Sequence, residues 1–523
     1  MKRFLGGVLA LALVGCDGKL ANDTVDVLLG IDGEGRDGKV YVLAPEADAV
    51  VEINRTDKSV TWLDVGRDPA SLERPDGSDV LYTLEPASRT MSRIGAGGAI
   101  NTIDLGGPFN RLVWAPDGQQ AIALFDESAG NVDISELGSL NPNAIALISD
   151  DGANISVRQY TLTFPPRDVV FDPASSKALI ATSARLHVLD LETLEELAIP
   201  FSQQAGVNRT PHLVLPSGDG TRALVGVQGL ADLFVISLDP VLIENVIGLP
   251  RTPTALGWSS DEATAVIADG TATVTFLDLD SFETDALVLP HGVNRITPGG
   301  PLEAPFALLW SQSGWSSLTR VALDGEGGAP DDPQTWTLQD SIARLELGPD
   351  DTSAVIFHGG NSTGVGAQSL SLFSFDERAP SRIFLDAPAT DLLFIEAGAI
   401  AASADPHVLV VLEESARLIR YNLHTYEQVV LDTYERPHSV GVLPAGSGAD
   451  QQLFVIHDTD LGLVSFVPID ATSVPPGGFP AVAGMGVGGL LESVAWPLLE
   501  QRAHPLADAR RDRHARQLCH PDP

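Results

Sequence analysis

Cysteine is nearly absent from this chain of 523 residues, which contains only Cys16 and Cys519. A network of disulfides therefore cannot stabilise the fold. Basic residues are also scarce, because 32 Lys and Arg stand against 70 Asp and Glu, and the formal net charge is −38 at pH 7. This charge would repel a nucleic acid, and no basic stretch interleaved with aromatic residues could overcome the repulsion. We therefore expect no nucleic-acid partner.

Long apolar runs are missing as well. No stretch of eighteen or more apolar residues occurs, so the sequence predicts no transmembrane helix. The apolar stretch Phe4–Val14 is too short to cross a hydrocarbon core of about 30 Å at about 1.5 Å per residue. Lys2 and Arg3 precede this stretch, and it ends in Leu13-Val14-Gly15-Cys16. A basic start followed by a short apolar run is typical of an export signal.

The box that ends at Cys16 resembles a bacterial lipoprotein signal. In that family the cysteine receives a diacylglycerol and becomes the first mature residue, so the resemblance implies a lipid anchor, with acyl chains such as palmitate, at Cys16. Several acyl chains would anchor the protein durably, whereas one would not. It also implies that residues 1–15 are removed and that the protein lies in the bacterial cell envelope, on the periplasmic or outer-surface side. An ordinary secretory signal with a chance cysteine is the alternative, and the choice between inner and outer membrane stays open.

A degenerate repeat of about 40 to 50 residues fills most of the chain. Its clearest copy runs from Phe109 through Trp114, the turn Ala115-Pro116-Asp117-Gly118, and the apolar run Ala121–Phe125. Each copy offers up to four short β-rich runs separated by Pro, Gly, Asp and Asn, as meandering antiparallel sheets require. One four-stranded blade cannot bury both faces of its sheet alone, so this period predicts an all-β fold of the β-propeller type.

Ten candidate units are distinguishable, or seven to eight if some of them are halves of one blade. They start near Lys39, Pro69, Pro108, Pro166, Pro211, Pro253, Pro305, Ile342, Pro388 and Pro437. No linker-like change in composition interrupts the series, so we predict a single propeller over residues 39–496, preceded by a flexible tether at 16–38. A longer insertion, Asp126 to Pro142, separates the second and third runs of the third unit.

The last 27 residues, Pro497 to Pro523, do not fit the repeat. They contain five Arg and three His but no Gly, Val, Ile, Thr, Phe or Tyr. Two interpretations stay open, a frameshifted or otherwise aberrant tail and a natural disordered basic tail. The segment Gly489–Trp496 just before it could supply an innermost strand to the unit at Lys39 and so close the ring.

Two of the turns carry a family resemblance. Trp114-Ala115-Pro116-Asp117-Gly118 and, more loosely, Trp258-Ser259-Ser260-Asp261 resemble the repeats of TolB-like propellers, and the strand order resembles the YVTN and lactonase-like superfamily. The resemblance covers roughly residues 39–496 and implies a fold rather than an activity, because propellers include enzymes and binding modules alike.

A recurring Arg ahead of a Pro is the main candidate site. Arg67, Arg209, Arg251 and Arg436 each stand one or two residues before the proline that opens a unit, and His212 and His438 directly follow two of these prolines. In a propeller such connections lie on one face near the channel mouth. These six residues therefore form a candidate site for a carboxylate or phosphate. Pairing of each Arg with a neighbouring acid or carbonyl is the alternative.

Evidence for a cofactor is weaker. The acidic stretch Asp32–Gly38 loosely resembles a calcium loop, but Arg36 intrudes and a distal Glu is missing. Asp150-Asp151-Gly152 and Asp324-Gly325-Glu326 are similar, and for all three a simple turn is the favoured interpretation. The chain has no His-Glu-x-x-His sequence and no phosphate-binding Gly-Lys-Ser/Thr loop. No catalytic or metal-ligating residue is assigned, and the cofactor stays unknown.

Two functions are therefore carried forward. The favoured one is a lipid-anchored, noncatalytic propeller that binds an envelope protein, a glycan or a small anionic ligand. The alternative is a lactonase-like or other hydrolytic enzyme with a divalent cation, such as calcium, in the central channel.

Overall fold

The computed structural model describes residues 27–29 and 39–471, with internal omissions. The omitted positions are 58, 76–77, 128–139, 202–208, 260–261, 301–304, 313, 324–329, 331, 360–365, 376–379, 401–402, 414, 434–435, 444–450 and 458–463. The predicted signal with Cys16, the Arg-rich tail Pro497–Pro523, Asp32–Gly38 and Gly489–Trp496 thus lie outside the described residues. The described part of the chain contains no helix with the length and hydrophobicity of a membrane span.

The first five units each form a four-stranded antiparallel sheet, with the strands in chain order. A short 3₁₀ helix, Pro45–Ala47, joins β2 to β3. The strands are β1 Val27–Leu29, β2 Lys39–Ala44, β3 Ala49–Asn54, β4 Val60–Asp64, β5 Ser71–Glu73, β6 Leu81–Glu85, β7 Thr90–Ile94, β8 Ile100–Asp104, β9 Arg111–Trp114, β10 Gln120–Leu124, β11 Ala144–Asp150, β12 Ile155–Thr161, β13 Pro166–Phe171, β14 Lys177–Thr182, β15 Arg185–Asp190, β16 Glu196–Pro200, β17 Pro211–Pro216, β18 Arg222–Val227, β19 Asp232–Leu238 and β20 Val241–Gly248.

The other five units continue the pattern. Their strands are β21 Ala255–Trp258, β22 Thr264–Ala268, β23 Thr273–Asp278, β24 Thr284–Val288, β25 Arg295–Gly299, β26 Phe306–Trp310, β27 Ser317–Ala322, β28 Gln334–Thr337, β29 Ile342–Leu347, β30 Ser353–His358, β31 Ala367–Ser374, β32 Ser381–Ile395, β33 His407–Leu412, β34 Arg417–Asn422, β35 Gln428–Asp432, β36 Pro437–Leu443, β37 Gln452–His457 and β38 Val464–Pro468. The tenth sheet has three strands within the described residues.

Units 8 and 9 share one long strand. The first part of β32 pairs with β31 as the outermost strand of unit 8, and its second part pairs with β33 as the innermost strand of unit 9. The two units consequently form one seven-stranded sheet. Ten units are therefore present in the described chain, and they form nine hydrogen-bonded sheets.

The units form a closed ring. Innermost strands of successive units contact one another, as β13, β17, β21 and β25 do, and β1 of the first unit contacts β36 of the last. An apolar core that includes Val40 and Leu43 of unit 1 with Phe454 and Phe466 of unit 10 fills the closing interface. Each sheet thus buries its faces against its two neighbours, as a β-propeller requires.

Eight of the ten predicted unit starts lie within three residues of an innermost strand. The other two need correction. Pro305 precedes β26, the second strand of unit 7, whose innermost strand β25 begins at Arg295. Lys39 begins the second strand of unit 1, and the innermost strand is β1, inside the segment expected to be a tether. With β1 in the innermost position, Gly489–Trp496 is not needed there.

The Asp/Gly turns lie between the first and second strands of a unit, and they form hydrogen bonds with the neighbouring unit. Gly118 and Gly220 have φ of 68° and 69°, the left-handed conformation expected of them. The backbone N–H of Asp117 donates to Ser175 Oγ of the next unit at 3.0 Å. In the same way Glu262 accepts the backbone N–H groups of Gly218 and Asp219. These turns therefore stabilise the ring at one of its two faces.

Candidate functional site

Because neighbouring strands run antiparallel, successive connections lie alternately on the two faces of the ring. Odd-numbered strands of a unit start at one face, where the connections between units and the turns between second and third strands also lie. We call it the loop face. The described ends of the insertion Asp126–Pro142, at 126–127 and 140–142, lie between β10 and β11 and so belong to the loop face. The Asp/Gly turns lie on the opposite face.

All six residues of the predicted anion site belong to the loop face. Arg67, Arg251 and Arg436 are exposed there, and Arg209 is half-buried beside Gly229. The backbone N–H of Arg67 donates to Ser88 Oγ at 2.8 Å. These arginines belong to the connections into units 2, 5, 6 and 10. Units 5 and 6 are neighbours, whereas units 10 and 2 lie across the ring from them with unit 1 between. A small anion could therefore contact one group of arginines but not both.

His212 and His438 share a backbone feature. Each is the extra residue of a β-bulge at the second position of an innermost strand, and Arg167, Ala343 and Thr390 occupy the same position in units 4, 8 and 9. A bulge bends its strand and changes the direction of the side chain that it carries. The same β-bulge therefore recurs in five units around the channel mouth.

His212 itself is held by the next unit. Its Nε2 lies 2.9 Å from the carbonyl oxygen of Pro253. The imidazole of His212 is partly exposed to solvent. Desolvation by the surrounding protein nevertheless lowers its pKa, and its hydrogen bonds to backbone carbonyls offset this effect only in part. At neutral pH the imidazole is therefore uncharged, and its Nε2–H donates to Pro253. An uncharged His212 contributes a hydrogen-bonding group to the mouth rather than a cation.

In five units the innermost strand carries a charged residue that the sequence analysis missed, and in units 4, 8 and 9 this residue directly follows the bulge. These residues are Arg111, Asp168, Arg295, Arg344 and Asp391 in units 3, 4, 7, 8 and 9. Each stands directly before a buried Leu, Ile or Val of its innermost strand. An alignment of the units on that buried residue would have revealed the shared charged position.

Arg111 joins two units. Its Nη2 lies 2.8 Å from Asp168 Oδ1 of unit 4, and its Nη1 lies 3.4 Å from Asp126 Oδ2. Nη1 also donates to the carbonyl oxygen of Arg167 at 3.4 Å. The side chain of Arg111 is 16% exposed, so the ion pair with Asp168 is partly shielded from water. The innermost strands form the inner wall of the ring, and at this point of the wall the charged side chains of two units are paired with each other.

Units 8 and 9 repeat the Arg-to-Asp order with a different pairing. Arg344 corresponds to Arg111, but its Nε lies 2.8 Å from Glu346 Oε1 of its own strand. Asp391 corresponds to Asp168 and accepts the backbone N–H of Leu392 at 2.8 Å. Burial raises the pKa of Asp391 to about 6, in spite of the opposing effect of Arg344 and with a further increase from Glu346. The carboxyl of Asp391 therefore titrates above the usual range of an aspartate.

Asn110 and Asn294 fix the ends of the second strands in units 3 and 7. Asn110 accepts the backbone N–H of Asp126 at 2.7 Å and donates to its carbonyl oxygen at 2.9 Å. Asn294 accepts the backbone N–H of Gln312 at 2.9 Å. Gln312 in turn accepts a hydrogen bond from Arg295 Nη2 at 2.6 Å. The Asn-Arg pair is thus a repeated way of orienting the inner wall.

One of the three acidic stretches compared with calcium loops is described. Asp151 Oδ1 accepts the backbone N–H groups of Ala153 and Asn154, and Asp150 accepts Arg93 Nε at 2.7 Å. Both carboxylates therefore serve the turn and its neighbours. Asp324-Gly325-Glu326 lies outside the described residues. Within the described ranges no three His, Cys, Asp or Glu side chains come together as a metal-binding group.

Comparison with known proteins gives similarity in structure alone. No family model matches the chain. No curated protein matches it in sequence. The chain is similar to the solved structure of dihydro-heme d1 dehydrogenase NirN in complex with DHE, with a TM-score of 0.45, 11% identity and coverage of 68% of this chain and 73% of that one. It is also similar to apo AztD from Citrobacter koseri, with a TM-score of 0.36, 8% identity and coverage of 58% and 84%. These similarities assign no function to the chain.

Proposed function

We propose that this protein is a lipid-anchored, extracytoplasmic β-propeller that acts as a noncatalytic binding or scaffold module. The observation that carries the proposal is the loop face, where the Arg-bearing connections between units and the described ends of the Asp126–Pro142 insertion lie on one side of a closed ring. Loops held by a rigid scaffold are the usual place for binding residues. The ligand classes that suit exposed arginines are a carboxylate or phosphate, on a small molecule, a glycan or an envelope protein.

The inner wall is consistent with binding rather than turnover. Arg111 is paired with Asp168 across a unit interface, and Arg295 is bonded to Gln312. Side chains that are hydrogen-bonded to one another in this way hold the channel mouth and its loops in position. They give the ring a rigid frame on which a partner could dock with little rearrangement.

The ligand test compares a double variant, Arg209→Ser with Arg251→Ser, with the wild-type protein. Both positions lie in neighbouring connections of the loop face, and Arg158→Ser on the outermost strand of unit 3 is the matched control. Native mass spectrometry of protein purified from its own membrane should show a copurifying anionic ligand or partner in the wild type and the control but not in the double variant. Equal retention in all three would contradict the arginine site.

The anchor needs a separate test. Metabolic labelling with a palmitate analogue should label the wild-type protein and leave Cys16→Ser unlabelled, and the variant should leave the membrane fraction. Labelling of the variant would disprove lipidation at Cys16.

A hydrolytic enzyme is the second candidate. Glu346 and Asp391 favour it, because two carboxyl groups on the innermost strands of adjacent units could take part in holding a divalent cation. The sequence has one Gly-x-Ser-x-Gly stretch, at 360–364, which lies outside the described residues. Calcium or zinc that copurifies with the protein, together with a lower melting temperature after chelation, would support this candidate.

A further inference from the structure

Units 3 to 5 share short sequence patterns with units 8 to 10. Arg111-Leu112 and Arg344-Leu345 are each followed at the same distance by Pro-Asp, in Pro116-Asp117 and Pro349-Asp350. The next units share their own patterns, which are Asp168-Val169-Val170-Phe171 with Asp391-Leu392-Leu393-Phe394, Ser183-Ala184-Arg185-Leu186 with Ser415-Ala416-Arg417-Leu418, and Pro211-His212 with Pro437-His438. Five units separate the members of each pair, so in a ring of ten the two sets lie on opposite sides of the channel.

One difference between the two sets concerns the residue two positions after the arginine. Val113 follows Arg111 by two residues, and Arg111 is free to bind Asp168 of the next unit. Glu346 stands at the position of Val113 and binds Arg344 within its own strand, at 2.8 Å. The arginine that would neutralise Asp391 is thereby held by another carboxylate. Glu346 therefore accounts for the different pairing of two arginines at equivalent positions.

Asp391 is left with a distinctive environment. Its carboxyl accepts the backbone N–H of Leu392, and among the described residues no side chain donates to it. It lies on the innermost strand, is partly accessible, and is surrounded by enough protein that burial dominates its titration. A partly accessible carboxyl in largely desolvated surroundings gains more from a charged hydrogen-bond donor than an exposed carboxyl does.

We propose that Asp391 is a binding site for an organic cation, an alkylammonium or guanidinium group that enters from the central channel. A donor of this class supplies the charged hydrogen bond that Arg344 does not make to Asp391, and the net negative charge of the whole protein favours its approach. The site goes beyond the loop-face function and uses different residues. A cationic side chain of a partner and a free amine present the same chemistry, and they differ in whether the small amine alone binds.

The test follows the side-chain carboxyl signal of Asp391 by NMR in the full mature chain labelled with ¹³C in the aspartate carboxyls. Asp391→Asn identifies the signal, and Asp168→Asn serves as the matched control at the equivalent position. Butylammonium and methylguanidinium are the probes, butanol is the neutral control, and ionic strength is kept near 0.15 M to screen the net charge of the protein. We expect the signal to move with both cations and not with butanol, and Asp391→Asn to weaken amine binding by about tenfold while Asp168→Asn leaves it unchanged.

A second variant tests the proposed cause. Glu346→Val gives units 8 and 9 the wall of units 3 and 4, so Arg344 should turn to Asp391, amine binding should be lost and the pKa of Asp391 should fall. If a cationic partner peptide moved the Asp391 signal and the small amines did not, the cation that Asp391 binds would belong to a partner protein. An Asp391 signal that no cation moves, or equal losses in Asp391→Asn and Asp168→Asn, would overturn the proposal. A shift caused by calcium but not by amines would also overturn it, whatever the result at the loop-face arginines.

Discussion

Arg111 and Asp168 belong to different units, and their side chains meet at 2.8 Å across the interface between the innermost strands β9 and β13. The same guanidinium also contacts Asp126, where the long insertion of unit 3 begins. One side chain therefore stabilises both the interface between two units and the start of a loop on the loop face.

Replacement of Arg111 by Met should lower the free energy of unfolding by about 2 kcal/mol, because the change removes charged hydrogen bonds and leaves Asp126 and Asp168 without their cation. Urea denaturation monitored by tryptophan fluorescence measures the change. Arg158→Met, at an exposed position on β12, is the control and should have little effect. Equal midpoints for the two variants would show that the interface does not depend on Arg111.

The starts of most units were predictable because a proline or a buried apolar residue follows a polar connection, and this local pattern repeats. Unit 7 was misplaced because its innermost strand contains Pro298 and Gly299, which read as a loop. Unit 1 was misplaced because β1 has three residues within a Gly- and Asp-rich stretch. Local composition therefore locates a strand only where the strand itself has normal β-forming residues.

The inner wall was less accessible to sequence reasoning. The pairing of Arg111 with Asp168 depends on the register of two strands that are far apart in the sequence, and a slip of one residue would reverse the faces. The bulges at Arg167 and His212 introduce such a slip. A pattern of Arg before Pro is visible in the sequence, but which charged residue meets which becomes clear only when the ring is closed.

Gly66 allows a test of packing around a buried acid. A Cβ at this position would lie 2.8 Å from Glu85 Cγ and 2.8 Å from Thr90 Oγ1. Glu85 is buried and held by Thr83 and Thr90, so it cannot move aside without a loss of hydrogen bonds. We expect Gly66→Ala to destabilise the protein by about 1–3 kcal/mol in urea denaturation.

Gly97 is the matched control, because a Cβ there meets nothing within 4 Å. Gly97→Ala should leave the urea midpoint nearly unchanged. If Gly66→Ala behaved in the same way, the buried arrangement around Glu85 would be looser than described.

Tyr82 joins units 2 and 3. Its hydroxyl donates to Asp150, which also accepts Arg93 Nε at 2.7 Å, and its ring lies 4.6 Å from that of Trp114. Tyr82→Phe keeps the ring contact and removes the hydrogen bond to a charged acceptor, so it should cost about 1–2 kcal/mol of unfolding free energy. Tyr160→Phe in unit 3 should cost less, and the reverse order in thermal or urea denaturation would refute this role.

His424 predicts a pH dependence at the opposite face. It lies between Asp350 of unit 8, 2.8 Å from Nε2, and Asp405 of its own unit, 3.2 Å from Nδ1. Burial lowers the pKa of His424, but the hydrogen bonds and charges of the two carboxylates outweigh this effect and raise the pKa above its usual value. Its stabilising contribution is therefore fully present below a pH of about 6.5, the value in the unfolded chain, and is lost as the pH rises through the folded value.

Because the side chain of His424 is 37% exposed, water screens the ion pairs and the contribution should stay below about 1 kcal/mol. Buried His291, His358 and His407 titrate in the opposite sense, since burial lowers their pKa values and acid destabilises them. The informative quantity is thus the difference in unfolding free energy between the wild type and His424→Gln at pH 5.5 and at pH 8.5. The wild type should be the more stable of the two at pH 5.5, and the gap should close at pH 8.5. A gap that is the same at both pH values would mean that His424 stabilises the interface as a neutral hydrogen-bonding group.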